Sequence, residues 1–116
     1  MREDGKIDYV ELPGGDLGAI KAFYGQAFGW SFTDYGPEYA AFDEGLDGGF
    51  DASPADAVQK PLVILYAHDL EAMEAKVRAA GGAITKPIFS FPGGRRFHFA
   101  DPAGNELAVW TEVGAG

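Results

Sequence analysis

DLGAIKAFYGQAFG, from Asp16 to Gly29, and DLEAMEAKVRAAGG, from Asp69 to Gly82, decide the fold, because they are one unit written twice. Each opens on an Asp-Leu pair and closes on a glycine thirteen positions later. The Asp carboxylate can accept from the free N–H groups of a first helical turn, and glycine suits the turn that ends a helix. Between these marks Leu17, Ile20, Phe23, Tyr24, Ala27 and Phe28 recur at helical spacing, as do Leu70, Met73, Val77 and Ala80. The spacing predicts helices over 16–28 and 69–80, each with one apolar face.

Strand patterns surround each helix. Ile7–Leu12 alternates before the first, and Leu62–Tyr66 precedes the second. After the first helix come Trp30–Tyr35, Tyr39–Asp43 and Leu46–Asp51, punctuated by Gly36-Pro37 and Gly45. After the second come Ala83–Ile88, Arg95–Ala100 and Glu106–Thr111. Pro92-Gly93-Gly94 and Asp101-Pro102-Ala103-Gly104-Asn105 make their turns. Each copy reads β-α-β-β-β. The expected fold is therefore α+β, one domain over residues 1–116. Its two βαβββ modules cover about 6–51 and 61–112, joined by a linker over 52–60. One helix covers only one face of each curved, mostly antiparallel sheet, so the other faces should enclose a groove.

Composition narrows the function classes. The 116 residues are 47% hydrophobic, which is ordinary for a globular chain. No apolar run nears the roughly 18 residues that span a bilayer, and the N-terminus carries no secretory pattern. With no cysteine, disulfides, thiolate ligands and thiol nucleophiles drop out, and a cytoplasmic protein is expected. The net charge is −9, with seven acids and no Lys or Arg from Asp34 to Asp56. Phosphate binding needs a basic face, so nucleic acid and membrane are not expected partners. The acidic stretch reads either as solvated loops or as an attractor for a cationic ligand.

Phe23-Tyr24 and Phe28-Gly29-Trp30 in the first copy, with Ala80-Gly81-Gly82 and Asp101-Pro102-Ala103-Gly104-Asn105 in the second, resemble the vicinal-oxygen-chelate superfamily. That superfamily holds glyoxalases, bleomycin-resistance proteins and extradiol dioxygenases. The chain looks most like its short members related to lactoylglutathione lyase. The resemblance implies a groove for a small molecule, and often a homodimer. It also implies metal ligands on the first strand of each module and on the last strand. Those positions fall on Tyr9, Leu62 and Ala108, of which two have no donor atom. No metal and no cofactor is therefore expected.

With those positions as reference, strand parity puts Tyr9 and Glu11 on the groove face, with Leu62, Ile64, Tyr66, Ala108 and Trp110. The resemblance to dioxygenases puts His98 there too, and Phe97 and Phe99 should then pack beneath the helix. An imidazole with a pKa near 6.5 suits proton transfer, and Glu11 is a carboxylate on a largely apolar face. Against these stand plainer readings: a histidine hydrogen-bonded in place, a Glu11 salt bridge with Arg96, and aromatic rings that only fill core. Tyr9, Tyr66 and Trp110 can stack on a flat or cationic ligand. His68 reads as structural.

The sequence thus points to a small-molecule-binding protein of glyoxalase, bleomycin-resistance or dioxygenase type with a metal-free groove and an aromatic or cationic ligand. The alternatives are a lyase or isomerase using His98 and Glu11, a metalloenzyme recruiting Glu11, His98 and Glu106, and an interaction subunit with a vestigial groove.

Overall fold

The computed structural model describes residues 2–54 and 59–114, so part of the expected linker, 55–58, lies outside the described residues. In chain order it holds β1 (Ile7–Pro13), α1 (Leu17–Phe28), β2 (Thr33–Asp34), β3 (Tyr39–Asp43) and β4 (Asp47–Asp51). There follow β5 (Leu62–Tyr66), α2 (Leu70–Ala79), β6 (Ala83–Phe91), β7 (Gly94–Ala100) and β8 (Glu106–Glu112). The protein is α+β, and the β-α-β-β-β unit occurs twice.

Two compact units divide the chain. One is Tyr9–Leu62; the other joins the residues up to Asp8 to those from Val63 onward. The N-terminal segment belongs to the second because its backbone bonds there: Gly5 N–H donates to Tyr66 O at 2.8 Å, and Tyr66 N–H donates to Lys6 O at 3.2 Å. The strand orders are β2-β3-β4-β1 and β5-β8-β7-β6. In each unit the first and last strands pair in parallel and the remaining pairs are antiparallel.

The helix ends follow their capping residues. Asp16 accepts from Ala19 N–H at 3.2 Å and Asp69 from Ala72 N–H at 3.0 Å, closing one free donor at each N-terminus. Gly29 caps α1 in the left-handed region, with φ 74°. The second helix stops one residue before the expected glycines, at a right-handed Ala80.

Each unit has its own core. In the second, Phe97 and Val109 from the sheet meet Leu70 of α2 and Ala67, flanked by Met73, Val77, Ile84 and Phe99. In the first, Tyr24, Trp30, Phe32, Phe42 and Phe50 form one aromatic cluster; Tyr24 stacks on Trp30 at 4.7 Å. The strand expected over Trp30–Tyr35 shrinks to Thr33–Asp34, while Trp30 and Phe32 outside it join the aromatic cluster. A Cβ on Gly48 would stand 2.5 Å from the Phe42 ring, so the glycine leaves room for it. The apolar face of α1 is only partly used: Phe23 and Phe28 are exposed, and the helix has no fully buried residue. Among the described residues no helix is long and apolar enough to cross a membrane.

Candidate functional site

In the second unit, register sets two rows of side chains on the sheet face away from α2. One row runs Lys86, His98, Ala108, Ile64; the next runs Phe89, Arg96, Trp110, Tyr66. The opposite parity carries Phe97 and Phe99 into the core with α2, as expected, and Val109 with them. His98, Ile64, Tyr66, Ala108 and Trp110 therefore share the face away from α2, the first four of them buried and Trp110 half-buried, with Leu62 buried at the start of β5.

His98 is the titratable group at the centre of that face. It is 2% exposed, and its Nδ1 lies 3.2 Å from Glu106 Oε2. Glu106 Oε2 also accepts from Thr85 Oγ1 at 3.0 Å. Nε2 of His98 is buried and has no hydrogen-bond partner among the described residues. Burial, then the nearby cations of Arg96 and Lys86, push the imidazole down from 6.5 to about 4, against the opposing pull of Glu106. The ring is thus neutral at neutral pH.

That depression makes stability depend on pH. Between the unfolded value of 6.5 and the folded value of about 4, the unfolded chain takes up the proton and the folded one resists it. Stability is fully present above the unfolded value and falls as pH drops through the window. Allowing for screening, the loss is about 1–2 kcal/mol. Denaturant titrations of wild type and His98→Gln over this window should show a flatter profile for the variant. Parallel profiles would contradict the assignment.

Aromatic rings bound the face. Trp110 meets Tyr66 edge-on at 5.6 Å and Phe91 at 6.2 Å. Its Nε1–H donates to Asp8 Oδ2 at 2.9 Å, and the Arg2 guanidinium stands 5.0 Å from its ring centre. One π-face offered to a cationic ligand is thus already taken by a cation of the chain. Arg96 lies against Phe89 and Phe91, and Phe89 lies 5.8 Å from the His98 ring.

The first unit brings Tyr9 and Glu11 together through Tyr39, which the sequence places in a strand but not among the candidate site residues. Tyr39 O–H donates to Glu11 Oε2 at 3.3 Å, so Tyr39 oxygen accepts from Tyr9 O–H at 2.5 Å. Burial raises both phenols above their ordinary values, so the chain of donors keeps its protons at neutral pH. Glu11 is only 5% exposed. Tyr39 reaches it by lying over Gly49, whose missing side chain leaves the space. The Tyr39 alternation in β3 was legible, but sequence does not reveal that Gly49 pairs with Glu11 and so leaves the Tyr39 ring room to reach it.

The metal positions implied by resemblance do not fit a metal. Leu62 and Ala108 are buried carbon, and a single phenol at Tyr9 is a poor ligand for a divalent ion. Among the described residues no group of three His, Asp or Glu side chains converges to replace them. A separate depression of about 470 Å³ lies at the β6–β7 hairpin, lined by Phe91, Gly94, Arg95 and Glu112 and without His98.

Comparison with known proteins agrees with this architecture. The chain is 27% identical over 112 residues to the anthracycline biosynthesis protein DauV of Streptomyces sp. (strain C5), covering 90% of this chain. It spans only 41% of that relative's length. The methylmalonyl-CoA epimerase of Mycobacterium tuberculosis superposes with a TM-score of 0.74 at 15% identity, over 97% of this chain and 91% of that one. The Mn(II)-bound glyoxalase of Novosphingobium aromaticivorans superposes with a TM-score of 0.65 at 24% identity, over 100% of this chain and 42% of that one. These likenesses concern the fold. Residues 6–109 match the family profile itself, and the chain belongs to the glyoxalase/bleomycin resistance protein/dioxygenase superfamily.

Proposed function

We propose that the chain is a metal-free small-molecule-binding protein whose ligand binds at the face of the second unit's sheet that lies away from α2, anchored at the buried His98 Nε2. The observation that carries the reading is that nitrogen: buried, beside a partnered Nδ1, and without a partner of its own. A buried polar atom left unmatched costs about 1–3 kcal/mol, a cost that a bound donor removes. Phe89, Tyr66 and Trp110 supply apolar wall beside it, the usual make-up of a pocket in which a few polar groups orient the ligand. An aromatic ligand also accords with the name of the Streptomyces relative, which ties that protein to anthracycline biosynthesis. Arg2 and Arg96 beside these rings favour a neutral or electron-rich body over a cationic one. This revises the cationic half of the expectation.

A lyase or isomerase activity is the second reading. What favours it is the bare Nε2 lone pair; with the imidazole held near 4 it is a weak base, so proton abstraction at neutral pH would require a bound ligand that raises that value.

Chelator-treated protein screened with aromatic fragments by thermal shift tests the proposal. A ligand that binds only the folded state raises Tm. We expect such fragments to stabilise the metal-depleted protein. Stabilisation that appears only after Mn(II), Ni(II) or Zn(II) is added would overturn the metal-free reading.

A further inference from the structure

Glu106 stands at the start of β8 with a side chain 49% exposed, so nothing in its own burial fixes its position. Thr85 does. Its Oγ1 donates to the same oxygen, Oε2, that faces His98 Nδ1. A carboxylate oxygen only accepts, so the proton on the neutral ring must sit on Nδ1. Nε2 is then a bare lone pair, buried and without a partner. The charged groups facing the ring are Glu106, Arg96 on the same strand and Lys86 on the paired strand β6.

We propose that Thr85 and Glu106 are positioning residues that hold His98 in its Nδ1–H tautomer, and so select ligands that present an O–H or N–H donor to Nε2. An anion such as a carboxylate has no proton to give that lone pair, and an ether or ester oxygen meets it lone pair to lone pair. The selection rests on the reading of His98 as the ligand anchor; the tautomer does not.

Long-range proton–nitrogen NMR of His98 at neutral pH reads the tautomer without any ligand. Wild type is expected to show Nδ1 protonated and Nε2 bare. Glu106→Ala is expected to move the ring toward Nε2–H, and Thr85→Val to move it part of the way while the Glu106 carboxylate remains. An Nε2–H ring in wild type, or an unchanged ring in Glu106→Ala, would overturn the positioning role. Phenol and anisole, which differ by the donor, then test the selection. Phenol is expected to shift the His98 Nε2 signal, and anisole to bind about tenfold more weakly. Equal binding would overturn the selection. If neither probe perturbs His98 while the Nδ1–H tautomer stands, the ligand-anchor reading fails and the Thr85–Glu106 role survives.

Discussion

Phe97→Ala is expected to destabilise the protein by about 3–5 kcal/mol, the range for deleting a fully buried phenyl ring. Phe97 is 0% exposed and lies at the centre of the second unit's core. It packs with Leu70 and Val109, against a rim of Met73, Val77 and Phe99. Its neighbours are held by two sheet strands and a capped helix, so the site cannot collapse to fill the cavity. Against a typical total stability of about 5–15 kcal/mol, the loss removes roughly a fifth or more of what holds the fold. Urea denaturation followed by tryptophan fluorescence measures it, and a cost below about 1 kcal/mol would mean that Phe97 is not in the core. Because Phe97 and His98 point to opposite faces, this test also checks the parity on which the site rests.

His98→Leu is expected to separate binding from stability. Leucine fills much of the space and removes both ring nitrogens. The unmatched buried Nε2 disappears together with the Nδ1–Glu106 bond, and the half-exposed Glu106 carboxylate keeps Thr85 and water, so stability at neutral pH should change by no more than about 1 kcal/mol. Any ligand that donates to Nε2 loses that bond and should bind about 10- to 100-fold more weakly, the cost of about 1.5–3 kcal/mol. Calorimetry with a fragment that stabilises wild type, paired with denaturation of the same samples, reads both quantities. Affinity that falls only in step with stability would assign His98 a structural role.

What sequence revealed and what it hid have physical reasons. Both helices were legible because two signals agreed at each: a capping Asp and a 3.6-residue apolar period. The face assigned to His98 came from the resemblance to dioxygenases, and parity carries it along the strand because β7 runs without irregularity beside β8 from Arg95 to Ala100. Strand β6 was harder. It runs on to Phe91, past the expected end at Ile88, and its register against β7 shifts on both sides of Lys86. Pro87 lies within the second shift, and proline cannot donate to a ladder. Such shifts decide which residue of β6 reaches β8, which is why Thr85 did not announce itself as a partner of Glu106. The Tyr9–Tyr39–Glu11 chain escaped for a related reason: cross-strand neighbours depend on pairing, not on spacing along the chain.

The most direct test of the account is an amide and side-chain NMR titration of chelator-treated protein with a stabilising aromatic fragment. The account predicts that the largest shifts fall on His98 and on its face neighbours Ala108, Ile64, Arg96 and Trp110, with no metal added. Shifts confined to the hairpin depression around Phe91, Gly94 and Glu112, or shifts that require a divalent metal, would contradict it.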